Sequence, residues 1–220
     1  ALLRWRTAEG EMRSPGEFIP VAEETGEIVA IGRWVLEEAC RQAVEWRGRG
    51  LDLRRIAVNV SAVQLRHPEF ANSVVEIARR CDWPADRLVL ELTESTLMAD
   101  SPALRRNFER FRAHGISLSI DDFGTGFSNL GYLHRIPVRS LKIDRSFVSQ
   151  LQVQANMPGL THAVVGLGHA LGLSVVAEGV ETEAQLRMLA AQGCDEAQGY
   201  LFTRPLPPPE LETWLLAQRD

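Results

Sequence analysis

Two adjacent aspartates, Asp121 and Asp122, end an apolar run and are followed at once by the glycine-rich stretch "FGTGF" (123–127). Negative charges this close repel each other, and both lose hydration at the edge of a core. A cation between them relieves both costs. Adjacent aspartates at a strand end point in different directions, so that one can bridge two metal ions while its neighbour holds the second. We therefore interpret this pair as part of a metal site, which a glycine-rich loop allows a ligand to approach closely.

Other polar side chains stand at the ends of predicted strands. The strand-end set comprises Asn59, Glu91, Asp121, Asp122, Lys142, Asp144, Glu178 and Gln198. Five of these residues are carboxylates, Asn59 adds a carbonyl oxygen, and no Cys or His stands at the strand ends, which favours Mg²⁺ or Mn²⁺ over zinc. Two such ions about 3.5–4 Å apart are the usual apparatus for attack of water on a phosphate ester. The set therefore predicts a two-metal phosphodiesterase centre.

Short runs rich in Val, Ile and Leu alternate with amphipathic helical segments along the chain. The predicted strands are 56–61, 88–94, 117–123, 140–146, 174–180 and 196–202, and "ALLRW" (1–5) is typical of the tail of another. Continuous apolar runs indicate strands buried on both faces, hence a parallel sheet. Such alternation allows a doubly wound sheet or a (β/α)8 barrel. A barrel brings all its strand ends to one mouth, so polar residues on six strand ends favour an α/β barrel.

Helix boundaries carry clear signals. Ser101 and Pro102 predict a cap followed by a first-turn proline, and Thr182 with Gln185 has capping-box spacing. The glycines expected just after helix ends are Gly50, Gly115 and Gly193.

The composition narrows the class of protein. The chain has 220 residues, is 45% hydrophobic and carries a net charge of −5, so no basic field favours a nucleic-acid partner. No apolar run approaches the roughly 18 residues of a membrane span, and we expect no membrane contact by this domain. Three scattered cysteines fit neither a disulfide framework nor a zinc site. We expect a cytoplasmic bacterial domain, or the cytoplasmic part of a membrane-anchored protein.

Longer stretches form a recognisable set in a fixed order. They are "LLRW", "FIPVAEETGEI", "WVLEEAC", "VNVSAVQL", "LELTES", "SIDDFGTGFSNLGYL", "LKIDRSFV", "VVAEGVET" and "GCDEAQGYLFTRPL". Together they cover nearly the whole chain, and the sequence resembles the EAL family of cyclic dimeric GMP (c-di-GMP) phosphodiesterases. The resemblance implies a modified TIM barrel that hydrolyses c-di-GMP to linear pGpG with two Mg²⁺ or Mn²⁺ ions.

The resemblance also implies roles for single residues. The first metal would be held by Asn59, Glu91 and Asp121, with Asp121 bridging to a second metal held by Asp122 and Glu178. Lys142 would hold and polarise the attacking water. Glu178 would have general-base character in such a site, and metal ligation describes its implied role better. Ca²⁺ is expected to bind and inhibit, because it is larger and acidifies water weakly.

Substrate contacts follow from the same resemblance. The implied substrate-binding residues are Leu2, Arg4, Asp144, Glu181 and Gln198. The loop 123–131, anchored by Glu94, would couple the metals to the contacts of a homodimer. Sensory or diguanylate cyclase-like domains are expected elsewhere in the full-length chain.

The sequence departs from the family pattern in three places. We expect a single EAL domain over 1–220 that is clipped at its start, since the family has a metal-ligating glutamate directly before Ala1 and a first strand before that. Arg139 replaces a usual aspartate, and "FSN" (127–129) replaces "YSS". Two alternative functions stay open. One is a catalytically silent EAL module that binds c-di-GMP as a receptor, and the other is an enolase-like barrel enzyme.

Overall fold

The computed structural model describes residues 1–94, 96, 101–124, 136–151 and 158–218. The strands are β1 (Trp5–Arg6), β2 (Met12–Arg13), β3 (Ile56–Asn59), β4 (Leu88–Thr93), β5 (Ser117–Phe123), β6 (Val138–Ile143), β7 (Ser174–Ala177) and β8 (Glu196–Ala197). The α-helices are α1 (Pro15–Thr25), α2 (Ile28–Gly48), α3 (Ala62–Arg66), α4 (Phe70–Arg80), α5 (Pro102–Ala113), α6 (Arg145–Gln150), α7 (Pro158–Ala170), α8 (Glu183–Ala191) and α9 (Pro208–Ala217).

The main sheet has six strands hydrogen-bonded in chain order, β3-β4-β5-β6-β7-β8. Pairing is parallel between β5 and β6, between β6 and β7, and between β7 and β8. Strands that follow one another in chain order without reversal are typical of a (β/α) barrel, whereas a doubly wound sheet reverses its order at a switch point. The predicted α/β fold is therefore confirmed.

Several strands end earlier than the apolar runs predicted. The run 140–146 leaves the strand at Asp144, which caps α6 by accepting a hydrogen bond from the Ser146 backbone N–H at 2.9 Å. The run 174–180 leaves its strand after Ala177, and Gly179 then adopts φ +68°. In the first place a polar residue at the strand end uses its side chain for a helix cap, and in the second a glycine with a left-handed backbone follows the strand end.

The backbone divides into two compact units, which comprise residues 1–90, 100–117 and 207–220 in the first, and 91–99 and 118–206 in the second. Within the first unit α4 packs on both α2 and α5. Leu36 of α2 and Ile77 of α4 are almost fully buried there. Phe70 and Phe111 meet edge to face with ring centroids 6.1 Å apart. This apolar contact is what the amphipathic helical patterns predicted.

Within the second unit α7 packs on β6 and β7. The buried side chains of the strands are mainly aliphatic, as expected for a sheet that is covered by helices. They include Leu118, Ile120, Leu141, Ile143, Val175 and Ala177.

The helix-boundary signals are confirmed. Ser101 accepts a hydrogen bond from the Leu104 backbone N–H at 3.2 Å, directly before the first-turn Pro102. Thr182 and Gln185 form the predicted capping box of α8. The predicted terminal glycines have left-handed backbones, with φ of +84° at Gly50, +72° at Gly115 and +83° at Gly193. No helix of the described residues is long and apolar enough to cross a membrane.

Asn107 generates a prediction about stability. Its side chain is 1% exposed, accepts from the Ala71 backbone N–H at 3.2 Å, and donates to the carbonyls of Leu65 at 2.7 Å and His67 at 3.0 Å. We expect Asn107→Ala to lower the free energy of unfolding by about 3 kcal/mol, because these backbone groups lose their shared partner. Urea denaturation measures the change. The matched Asn72→Ala, which removes an exposed bond to Glu69, should change it by less than about 0.5 kcal/mol.

Candidate active site

A buried lysine lies at the centre of the candidate site. Lys142 of β6 is 5% exposed and is the only lysine in the sequence. Its Nζ lies 2.8 Å from Glu91 Oε1, 3.1 Å from Asp121 Oδ1 and 2.5 Å from Glu178 Oε1. One ammonium group thus contacts carboxylates that come from β4, β5 and the residue after β7.

The pairing of β5 with β6 explains why two aspartates stand side by side. Ile120 pairs with Leu141 and Phe123 pairs with Ile143, so Asp121 and Asp122 together stand opposite the single residue Lys142. Two residues opposite one is the arrangement of a β-bulge. Asp122 adopts φ +54°, a left-handed backbone that aspartate tolerates better than most residues. The bulge lets both carboxylates leave the strand end in different directions.

The charges of this group shift one another's protonation. Burial favours the neutral form of Lys142, but the carboxylates of Glu91, Asp121 and Glu178 outweigh it and raise the lysine pKa, which keeps the ammonium charged. Burial raises the pKa of Glu178, and its bond to Lys142 only partly offsets this effect. Glu178 therefore binds a proton more readily than an exposed glutamate.

A second pair of carboxylates, Asp122 and Asp144, shares a hydrogen bond at the edge of the site. Burial raises the pKa of Asp122, and the charges of Asp121 and Asp144 raise it further. Burial also acts to raise the pKa of Asp144, but hydrogen bonds from Ser146 and Asp122 lower it on balance. Asp144 is therefore the more acidic of the two carboxyl groups, and Asp122 binds a proton more readily.

Close backbone contacts hold the segment that carries Glu178. The Glu178 backbone N–H donates to the Ile143 carbonyl at 3.1 Å. A Cβ on Gly179 would lie 2.5 Å from Arg145 Cβ, and one on Gly199 would lie 2.1 Å from the Val180 carbonyl oxygen. Only glycine allows these approaches. Glu178 is thereby fixed between the ends of β6 and β8.

A divalent metal fits the donor set. Carboxylate oxygens of Asp121, Asp122 and Glu178 all lie within 4.8 Å of one another, and each of these residues is partly exposed. Three carboxylates with no sulfur or imidazole donor among them match the preference of Mg²⁺ and Mn²⁺. These are three of the five predicted metal ligands. A fourth, Glu91, contacts the same lysine.

The other predicted residues are placed as follows. Asn59, the fifth predicted ligand, ends β3 in the first unit and is exposed. Leu2 and Arg4 also belong to the first unit, where Arg4 lines an apolar groove beside Trp5 and Phe18. The roles predicted for these three residues stay predictions.

In the second unit the side chains of Glu181 and Gln198 are exposed, and the Gln198 carbonyl accepts from the Val180 backbone N–H at 3.0 Å.

Glu94, predicted to support the loop 123–131, lies directly after β4 and is 6% exposed. Its Oε2 accepts a hydrogen bond from the Gly124 backbone N–H at 3.3 Å. Residues 125–131 of the predicted loop lie outside the described residues, as does the "FSN" variation. The start of the loop is thus tied to the end of the neighbouring strand.

The sequence left two roles open for Lys142, a buried salt-bridge partner and a donor toward the attacking water. The structure shows it in contact with three carboxylates, a convergence that the sequence alone does not reveal. The available signal for a special role of Lys142 is composition. It is the one lysine among the 24 Lys and Arg residues of the sequence, and all the others are arginine.

The chain is similar to proteins of one known family. A family model described as EAL domain matches residues 1–205. The chain is 46% identical over 211 residues to MucR, a bifunctional diguanylate cyclase/cyclic di-GMP phosphodiesterase of Pseudomonas aeruginosa, covering 96% of this chain and 31% of MucR. It is 41% identical over 219 residues to the cyclic di-GMP phosphodiesterase NbdA of the same species, covering 100% of this chain and 28% of NbdA. The chain therefore spans less than a third of the length of these curated relatives.

A solved structure described as PaMucR phosphodiesterase in complex with c-di-GMP matches the fold. Its TM-score is 0.89 at 46% identity, and the match covers 96% of this chain and 85% of that one.

The buried lysine generates a prediction about the metal-free protein. We expect Lys142→Met to lower the free energy of unfolding by about 3–5 kcal/mol at neutral pH, because the carboxylates lose their counter-charge. Arg139→Met, at an exposed position on the same strand, is the matched control and should cost less than about 0.5 kcal/mol.

The deficit of Lys142→Met should shrink on acidification. The substitution removes a charge that now lowers the pKa of Glu178, so the folded-state pKa rises further above the unfolded value. A raised folded pKa contributes stability that is present at low pH and lost as pH rises through it. Chemical denaturation in a chelating buffer between pH 4 and pH 8 checks this. A deficit that does not change with pH would contradict the assigned role of Lys142.

Proposed function

The chain belongs to the EAL domain family, and on this premise we propose that it hydrolyses c-di-GMP to linear pGpG at the acidic site around Lys142. The observation that carries the proposal is the joint geometry of Asp121, Asp122 and Glu178, whose carboxylate oxygens lie within 4.8 Å of one another beside a buried ammonium group. Relatives described as cyclic di-GMP phosphodiesterases, and a relative solved with c-di-GMP, support the choice of substrate.

Asp121, Asp122 and Glu178 would hold divalent metal ions, with Glu91 and Asn59 as the further proposed ligands. Two bound Mg²⁺ or Mn²⁺ ions supply positive charge to the phosphate and acidify water. The bulge serves this purpose, because it directs two neighbouring carboxylates to different positions around one strand end. Oxygen ligands at one rim of a parallel sheet are a common way for such folds to bind metals.

Lys142 keeps its proton because three carboxylates stabilise the ammonium form. It therefore acts as a hydrogen-bond donor that orients the attacking water or a phosphate oxygen, and it supplies charge as the phosphate becomes more negative. Glu178, with its raised pKa, is suited to accept the proton of that water. The water oxygen bonds to phosphorus as one bridging P–O bond breaks, which opens the ring to the linear product.

The proposed substrate-binding residues of the second unit carry polar groups that suit a cyclic dinucleotide. The pKa of Asp144 is lowered, so its carboxylate is ionised and can accept hydrogen bonds from base or sugar groups. Glu181 and Gln198, which follow later strands, are exposed and add further polar groups. Assembly as a homodimer and attachment to sensory or cyclase-like domains are further parts of the proposal. The much greater length of the curated relatives is consistent with additional domains.

The direct test is incubation of the protein with c-di-GMP and Mg²⁺ and separation of the products by chromatography. We expect pGpG from the wild type, and a loss of about 100-fold or more in Asp121→Asn, because one anionic ligand is removed from the site. Asp52→Asn, which weakens an exposed ion pair with Arg87, should retain full turnover. Tight binding of c-di-GMP with no product from the wild type would instead establish a receptor.

Glu94 provides a test of how the loop that begins at Gly124 affects the site. We expect Glu94→Ala to lower Mg²⁺-dependent turnover by about tenfold, because the lost hydrogen bond to Gly124 releases the backbone that follows Asp121 and Asp122. Binding of c-di-GMP in Ca²⁺, where no hydrolysis is expected, should weaken much less.

Exposed Glu76→Ala is the matched control for this variant and should leave turnover unchanged. A lower melting temperature of Glu94→Ala with an unchanged rate would show that Glu94 supports the fold alone.

A further inference from the structure

Two buried serines face each other across β5 and β6. Ser119 is 3% exposed and Ser140 is 7% exposed, and the two residues are paired in the sheet register. The Ser140 hydroxyl donates to the Ser119 hydroxyl oxygen at 2.9 Å. Hydroxyl pairs in an otherwise aliphatic strand interior require both partners, since either one alone leaves a polar group without its bond.

Each serine of the pair lies two residues before a charged residue of the candidate site. Ser119 precedes Asp121 by two residues and Ser140 precedes Lys142 by two, so each serine shares a face of its strand with the charged residue that follows. Asp121 and Lys142 are the residues whose side chains meet at 3.1 Å. A displacement of β5 along β6 would therefore change both contacts together.

The register of these strands is irregular on both sides of the pair. Leu118 pairs with Val138 and Ser119 with Ser140, which leaves Arg139 as an extra residue on β6. Above the pair, Asp121 and Asp122 supply the extra residue on β5. Only two regular pairs, Ser119 with Ser140 and Ile120 with Leu141, separate these irregularities.

These two regular pairs differ in what they specify. Contact between Ile120 and Leu141 is apolar and tolerates small displacements, whereas a hydrogen bond between two short side chains is directional. At each irregularity the extra residue is unpaired and the ladder is locally disrupted. The hydroxyl pair is therefore a directional side-chain contact within the short regular segment between the two irregularities.

We propose that the Ser119–Ser140 hydroxyl pair is a positioning element that sets where the bulge falls and so holds Asp121 within reach of Lys142 and of a bound metal. Both serines act through Asp121 and Lys142, and neither is assigned contact with substrate. The effect on hydrolysis rests on the function proposed above, but the effects on the lysine and on metal affinity do not.

The test compares Ser119→Ala, Ser140→Ala and the double variant with the wild type. We expect each variant to bind Mg²⁺ about tenfold more weakly by calorimetry, which corresponds to about 1.4 kcal/mol. Turnover at limiting Mg²⁺ should fall in parallel, with less than about a twofold change in KM for c-di-GMP. The double variant should regain melting temperature, because no hydroxyl is left unpaired, but should not regain Mg²⁺ affinity.

A matched control separates positioning from stability. Thr161 of α7 is 1% exposed and donates its hydroxyl to Oε1 of Gln192, the residue directly after α8, at 2.6 Å, and Thr161→Val removes this partly buried hydrogen bond. Thr161→Val should lower the melting temperature and leave Mg²⁺ affinity unchanged. Recovery of Mg²⁺ affinity together with melting temperature in the double serine variant would overturn the proposal.

A readout without metal or substrate completes the test. Because Lys142 is the only lysine in these 220 residues, ¹³C-lysine labelling of the domain gives a single side-chain signal, which reports the contacts of Lys142 with Asp121 and the two glutamates. We expect that signal to shift or broaden in all three serine variants and to stay in place in Thr161→Val. Unchanged lysine signals in the serine variants would overturn the proposal even if the wild type proved inactive, whereas inactivity of the wild type alone would refute only the proposed function.

Discussion

The arrangement of the second unit depends on one ammonium group that contacts three carboxylates and offsets part of their negative charge. Glu91, Asp121 and Glu178 come from separate parts of the chain, and each would oppose folding if it were buried without a counter-charge. Lys142 contacts all three, which makes their convergence tolerable before any metal binds. The proposed metal site and the folded core are therefore not independent, because the residue that stabilises the acidic cluster is also the proposed donor toward water and phosphate.

The geometry of the strands determines where these charged side chains lie. Parallel strands in chain order bring their carboxyl ends to one edge, and the bulge on β5 adds a second aspartate where a regular strand would offer one. Gly179 and Gly199 then allow the segments after β7 and β8 to approach backbone that a side chain would block. The bulge sets the number and direction of the carboxylates at the strand end, and the two glycines allow the neighbouring backbone segments to approach closely.

Much of this could be predicted from the sequence, because the signals were local. Continuous aliphatic runs that end in polar residues predicted the parallel strands, and Ser101, Thr182 and the terminal glycines predicted helix boundaries that the fold confirms. What could not be predicted depends on contacts between distant segments. The bulge requires knowledge of the register between β5 and β6, and the three-way contact of Lys142 requires the sheet to be assembled. The early ends of the runs 140–146 and 174–180 have a local cause, since Asp144 caps α6 through the Ser146 N–H and Gly179 has a left-handed backbone.

The buried lysine also makes the chain an unusual substrate for proteolysis. An endoprotease that cleaves only after lysine has one target bond in these 220 residues, Lys142–Ile143, and that bond lies within a buried parallel strand. A strand paired on both sides cannot enter a protease cleft until the sheet opens. The rate of this single cut therefore counts openings of the strand at the centre of the site, and ligands that bind only the folded state should slow it in proportion to their occupancy.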